Sequence, residues 1–267
     1  MAGDVLRAAP GAMSRRLSGV LLVVALLLLW ELSWQLAWYR SLSLPPVSAI
    51  AVALWSEIVG GALPKEIGTT LWRLLVGFAV ATVLGVVIGI AMGAFRRLDL
   101  LLEPLTELLR PIPVSALVPV AILFFGIHSQ MKLALIIYAA LWPILINTYV
   151  GIRTVDPVLV DTARTFRVTP ARRLLGIQLP AAAPFIAAGM RISLAVSLVV
   201  AVVAEMIAGG DGVGSYLLVR QRSFRVAEMY GAIASLALLG YSLNAVFIRL
   251  ERRVVFWSPG AQSAEQA

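Results

Sequence analysis

Arg110, Arg191 and Glu205 are charged side chains set in or beside long apolar runs, where guanidinium groups could hold a small anion. Burying either arginine at mid-bilayer would cost about 2.5–3.5 kcal/mol, which favours an interior or interfacial position. Glu205 serves an anion poorly and fits a gate or a docking surface equally well. His128 is the only histidine and reads as a solvated loop residue. Cysteine is absent, which excludes disulfides and thiolate metal sites. Neither His-Glu-x-x-His nor Gly-x-Ser-x-Gly occurs, so hydrolysis lacks both a metal cage and a nucleophile. Gly209-Gly210-Asp211-Gly212-Val213-Gly214 lacks the Gly-Lys-Ser/Thr ending of a phosphate loop and reads as a turn or re-entrant segment. No catalytic or metal-binding residue is assigned.

A second polar feature is contiguous. Arg153–Pro184 interrupts the apolar chain with Arg164, Arg167, Arg172 and Arg173. It is too long for a plain hairpin between membrane helices and too short to hold a core. Asp156 fits a helix N-cap, with Pro157 at the first helical position. Val158, Leu159, Thr162, Ala163 and Phe166 can form one apolar face while the arginines stay in water. Such a helix suits a partner groove, and it equally suits lipid headgroups.

The elements that must position these residues are membrane spans. Of 267 residues, 60% are hydrophobic and 13% charged, with mean hydropathy +0.93. A soluble domain carries about 25% charged residues. About 20 apolar residues cross the hydrocarbon core as a helix. Six runs qualify: Leu17–Tyr39, Leu74–Phe95, Leu100–Ile127, Leu133–Ile152, Ala183–Ala208 and Met229–Ile248. The chain then divides into a tail over 1–16, a six-helix domain over 17–253 and a tail over 254–267. Basic residues in alternate loops number thirteen on one side and six on the other. The richer side belongs in the cytoplasm and holds both termini and the Arg153–Pro184 segment. The net charge of +8 is thereby explained by orientation in the membrane, without nucleic acid.

Arg15-Arg16 ahead of Leu17–Trp30 could open a signal peptide. No small-x-small cleavage site follows, and Trp30, Trp34, Trp38 and Tyr39 form an interfacial aromatic belt, so the first helix is expected to be retained. Gly77, Ala81, Gly85, Gly89 and Gly93 make a ridge for close helix packing. Pro111, Pro113 and Pro119 should bend or loosen the third span, which fits a cavity-facing break or a static kink.

The arginine-rich segment resembles the signature loop of bacterial ABC-importer permeases: Glu-Ala-Ala, three residues, Gly, nine residues, Ile-x-Leu-Pro. Asp161, Thr162 and Ala163 take the first three positions, Arg167 the glycine, Ile177 the isoleucine, and Leu179-Pro180 the end. Arg167 resists the positive φ that glycine permits, so the turn is expected to shift to Val168-Thr169-Pro170. Further segments are similar to the branch importing aliphatic sulfonates, taurine and nitrate, among them Leu29-Trp30-Glu31-Leu32, Leu109-Arg110-Pro111-Ile112-Pro113, Phe124-Phe125-Gly126 and Ala204-Glu205-Met206. The resemblance runs from about Leu26 to Arg253.

The resemblance implies an all-α membrane protein of the type I ABC-importer permease fold, with six transmembrane helices and a cytoplasmic coupling helix between the fourth and fifth. It implies a non-catalytic subunit in the bacterial inner membrane that binds no cofactor itself. ATP and Mg would sit on a separate cytoplasmic ATPase present in two copies. A second permease copy and a periplasmic or lipid-anchored solute-binding protein complete the assembly. Leu159, Ala163 and Phe166 would plug the ATPase groove, with Asp161, Thr162, Arg164, Arg167, Gly176, Leu179 and Pro180 around them. Arg110, Arg191 and Glu205 are the candidates for the solute path. The rival readings are an ion-coupled secondary transporter and a permease for another small solute, such as a vitamin precursor or an aromatic acid.

Overall fold

The computed structural model describes residues 12–38, 41 and 43–256. Tyr39, Arg40 and most of the two expected tails lie outside the described residues, as do the side chains of Arg15 and Arg16. Eleven helices are present among the described residues: α1 (Ala12–Gln35), α2 (Val47–Val59), α3 (Ala62–Ala94), α4 (Arg96–Leu109), α5 (Val114–Phe125), α6 (Ser129–Arg153), α7 (Pro157–Thr165), α8 (Pro170–Arg173), α9 (Leu179–Ala208), α10 (Val213–Arg222) and α11 (Val226–Val254).

Among the described residues, four helical stretches are long and apolar enough to cross a membrane: α3, α6, Pro170–Ala208 and α11. The pair α4 and α5 makes a fifth if counted as one bent span. The apolar part of α1, Gly19–Gln35, is the remaining element of the six expected. Its helix stops at Gln35, short of the expected Tyr39, and Ala37 takes a positive φ of 59°. Glu31 accepts hydrogen bonds from the Ser48 backbone N–H and hydroxyl, tying α1 to the start of α2.

Three other elements differ from expectation. The third span bends as its prolines predict, but by 98°, so that it forms two helices and not one. Pro111 and Pro113 remove two backbone donors within three residues, and the chain turns where the ladder fails. Helix α2 lies within no expected span, because 13 residues reach only about 20 Å. The fifth span begins at Pro170 instead of Ala183, so much of the segment expected as a loop is helix. Between α8 and α9 the helix widens into a π turn at Leu174–Gln178, with Leu179 N–H donating to Leu174 O. The wide turn sits just ahead of Pro180, whose ring would strike the carbonyl four residues earlier in α register.

Helix α6 is the centre of the molecule, with α3 on one side and α9 on the other. The glycine ridge of α3 faces it as expected. A Cβ at Gly77 would stand 2.5 Å from Ile136 Cγ2, and one at Gly89 would stand 2.7 Å from Leu145 O. On the opposite side, Gly189 of α9 lies against Pro143 O and Asn147 Cβ, while Gly151 faces Ala182 and Phe185. Small residues thus let three backbones approach closely, and dispersion over that contact holds them. Between its two ends, Lys132 and Arg153, α6 spans about 32 Å. Each end carries a different charged constellation.

Candidate functional site: the two ends of the central helix

At the Arg153 end, the structure builds the short helix α7. The Asp156 side chain accepts from Val158 N–H at 2.8 Å, and Pro157 opens the helix. These are the cap and first position read from the sequence. Leu159 and Phe166 are exposed, Phe166 at 76%, as is Val158. Ala163 departs from the expected apolar plug: it is 5% exposed and turned into the chain's own packing. Its small side chain lets α7 sit close against the body, so the outward face consists of Val158, Leu159 and Phe166. Asp161 and Arg164 form an exposed pair at 2.9 Å that contributes little to stability. Thr162 and Gly176 are exposed, whereas Leu179 and Pro180 are half-buried.

The turn after α7 corrects the expected path. Arg167 itself takes the left-handed conformation, with φ 55°, and the turn does not move to Val168-Thr169-Pro170. Arg167 N–H donates to Arg164 O, and Val168 N–H donates to Ala163 O. That pair of bonds is the Schellman arrangement, with arginine where glycine usually stands. Two backbone hydrogen bonds offset a conformational cost of about 1–2 kcal/mol for a residue with a Cβ.

At the Lys132 end, charges are buried rather than displayed. Arg73 on α3, Lys132 on α6 and Glu205 on α9 are 2%, 2% and 0% exposed. Arg73 Nη1 donates to Glu205 Oε1 at 3.0 Å, and Nη2 donates to both Asp211 carboxylate oxygens at 2.6 Å. Ser129 Oγ accepts from Arg73 Nη2 at 3.0 Å. Lys132 Nζ donates to Asp211 Oδ1 at 3.0 Å and to Gly209 O at 2.9 Å. Glu205 also receives Thr70 Oγ1–H and Gly214 N–H. Every buried charge here therefore has an opposite charge and further hydrogen bonds, which such burial requires.

The glycine-rich turn between α9 and α10 makes this possible. Gly212 has φ 97°, and a Cβ there would fall 2.1 Å from Glu205 Cδ, so no other residue fits without displacing the carboxylate. Partial burial pushes the Asp211 carboxyl up, but Arg73 and Lys132 outweigh it and hold the group below its ordinary value.

The remaining sequence candidates do not join either constellation. Arg110 is exposed at the α4–α5 break, beside a cleft of about 190 Å³ that Asp99, Glu103, Glu107 and Tyr149 also line. Arg191 pairs with Glu251 of α11. Of the three residues proposed for the solute path, only Glu205 joins the buried constellation at the Lys132 end. Arg73, Lys132 and Asp211 were missed because charges served to mark the ends of spans. The available signal was Glu205 itself, since a carboxylate in an apolar helix demands a cationic partner.

Residues 81–256 match the family described as "Binding-protein-dependent transport system inner membrane component". The aliphatic sulfonates transport permease protein SsuC of Bacillus subtilis (strain 168) is 32% identical over 243 residues, 90% of this chain and 87% of that protein. The nitrate import permease protein NrtB of Leptolyngbya laminosa is 31% identical over 190 residues, covering 71% and 68%. Among solved structures, a chain of the MetNI methionine ABC transporter in an inward-facing conformation superposes with a TM-score of 0.64. It is 19% identical and covers 74% of this chain and 99% of its own, a likeness of fold alone. The bent α4–α5 pair, the capped α7 and the helices around α6 are thus parts of a type I permease fold, and the chain belongs to the inner-membrane permeases of binding-protein-dependent ABC importers.

Proposed function

We propose that this permease imports a small oxyanion, an aliphatic sulfonate, taurine or nitrate, driven by ATP hydrolysed on a separate cytoplasmic ATPase. The chain supplies no catalytic group. Two copies of it line one pathway, two ATPase copies bind beneath, and a solute-binding protein delivers from the opposite side. Both termini and α7 face the cytoplasm, in keeping with the thirteen-to-six distribution of basic residues.

The observation that carries this reading is α7: a capped helix at one end of the bundle, with Leu159 and Phe166 uncovered and arginines around them. Exposed apolar side chains on a short rigid helix are what a partner groove takes up. Asp161, Thr162, Arg164 and Arg167 surround that plug as polar contacts. Helix α7, with Ala163 turned inward, packs against the π turn Leu174–Gln178 that includes Gly176 and runs on into α9 at Leu179 and Pro180, so a push on α7 reaches the spans through contiguous elements.

Uptake in proteoliposomes separates ATP drive from ion coupling. With the partner ATPase present, uptake of a radiolabelled sulfonate or nitrate should require ATP on the α7 side and survive collapse of the proton gradient. Uptake that follows the gradient and ignores ATP would assign the chain to ion-coupled transport.

A further inference from the structure

The cluster around Lys132 has a charge imbalance hidden inside it. Arg73 and Lys132 are buried cations, and Glu205 is the single buried anion between them. The anionic partner of Lys132, and of the second Arg73 nitrogen, is Asp211, whose side chain is 53% exposed and sits in the Gly209-Gly210-Asp211-Gly212 turn. Three of those four residues have positive φ, so the turn's shape rests on glycines. Arg73 Nη2 and Lys132 Nζ converge on the Asp211 carboxylate from buried positions, at 2.6 and 3.0 Å. The half-buried Glu66, two turns along α3 from Arg73, reaches the same turn from its other side, where its carboxylate accepts from Gly212 N–H.

We infer that Arg73 and Lys132 form an oxyanion seat at the end of the bundle away from α7, and that the Asp211 carboxylate occupies it until a sulfonate, nitrate or similar small anion takes its place. Three features fit that ligand class. The donors are charged and fixed: Arg73 is clamped by Glu205 and Ser129, and Lys132 by Gly209 O and Asp211 O. A carboxylate already shows that two oxygens of one small anion satisfy both cations at once. The occupant is the one charged member of the cluster open to solvent, so exchange needs rotation of the Asp211 side chain and not movement of a helix. When the Asp211 side chain rotates away, Lys132 keeps its carbonyl acceptors and Arg73 keeps Glu205, while Lys132 Nζ and Arg73 Nη2 are left without the carboxylate they shared.

The inference rests on the reading of the chain as an anion pathway, but it can fail separately. The test uses the full chain in lipid nanodiscs, titrated with nitrate and with ethanesulfonate at constant ionic strength, with gluconate as the bulky control. Asp211→Ala and the milder Asp211→Asn should each bind the small anions roughly tenfold more tightly than wild type, as when a resident competitor held about nine molecules in ten. Adding Lys132→Met should remove that gain, and gluconate should show none. Equal or weaker anion binding in both Asp211 variants would overturn the inference, as would a gain that survives Lys132→Met. ATP-driven anion uptake by wild type with no gain in the variants sinks the seat alone. A gain in the variants without ATP-driven anion uptake sinks the import reading alone.

Discussion

The two ends of α6 handle charge in opposite ways. Around α7, Asp161, Arg164, Arg167 and Arg172 are displayed to solvent together with bare Phe166 and Leu159. About 32 Å away, Arg73, Lys132 and Glu205 are closed off, and their charges are met by ion pairs with one another and with Asp211. Exposed charges cost little to keep and little to lose, so the α7 end can be shaped for a partner without weakening the fold. Buried charges are held only while each has its counterpart, so the Lys132 end binds α3, α6, α9 and the glycine turn into one unit. One end is built to be gripped, and the other grips itself.

Breaking the buried end should have the largest effect. Arg73→Met leaves Glu205 uncompensated and is expected to destabilise by about 3–5 kcal/mol, measured by thermal unfolding in detergent. The double variant Arg73→Met/Glu205→Met should regain most of that loss, because both charges leave together. A double variant as unstable as the single one would mean that packing, not charge, dominates there.

The α3–α6 seam that joins the two ends comes next. Gly77→Val adds a branched side chain where even a Cβ meets Ile136 at 2.5 Å. A loss of about 1–3 kcal/mol is expected from overpacking. A neutral result would show that α3 can slide on α6, and that the two ends are less rigidly linked than their packing implies.

At the exposed end, Arg167→Gly should be the smallest change and the one of opposite sign. Relieving a positive φ at a residue with a Cβ should stabilise the α7 turn by about 1 kcal/mol. Amide hydrogen exchange of Val168, whose N–H bonds to Ala163 O, reads the effect locally. Slower exchange in the variant is expected; faster exchange would mean the arginine side chain itself supports the turn.

The exposed end was legible in the sequence because its parts are contiguous. Asp156, Pro157 and the Asp161-to-Pro180 spacing lie within one segment, and local rules of capping act over a few residues. The left-handed Arg167 was not legible, since the two backbone hydrogen bonds that hold it depend on where α7 ends. The glycine ridge was legible as a packing surface, because its four-residue period needs only one helix. The buried end was not, because Arg73, Lys132 and Asp211 are separated by 59 and 79 residues along the chain and meet only after three helices pack. A rule that places charge at the ends of spans misses this cluster, because tertiary pairing allows charge inside one. The α4–α5 break was half legible: the prolines announced a bend, and its 98° depends on packing against α6.

Cysteine crosslinking at Phe166 is the most direct test of the coupling claim, since the chain contains no cysteine to compete. Phe166→Cys, paired with single cysteines along the groove of the partner ATPase, should yield a disulfide-linked permease–ATPase product whose amount changes when ATP is added. A Phe166→Cys that forms no such product, and reacts instead with a membrane-impermeant thiol reagent applied outside intact cells, would contradict it.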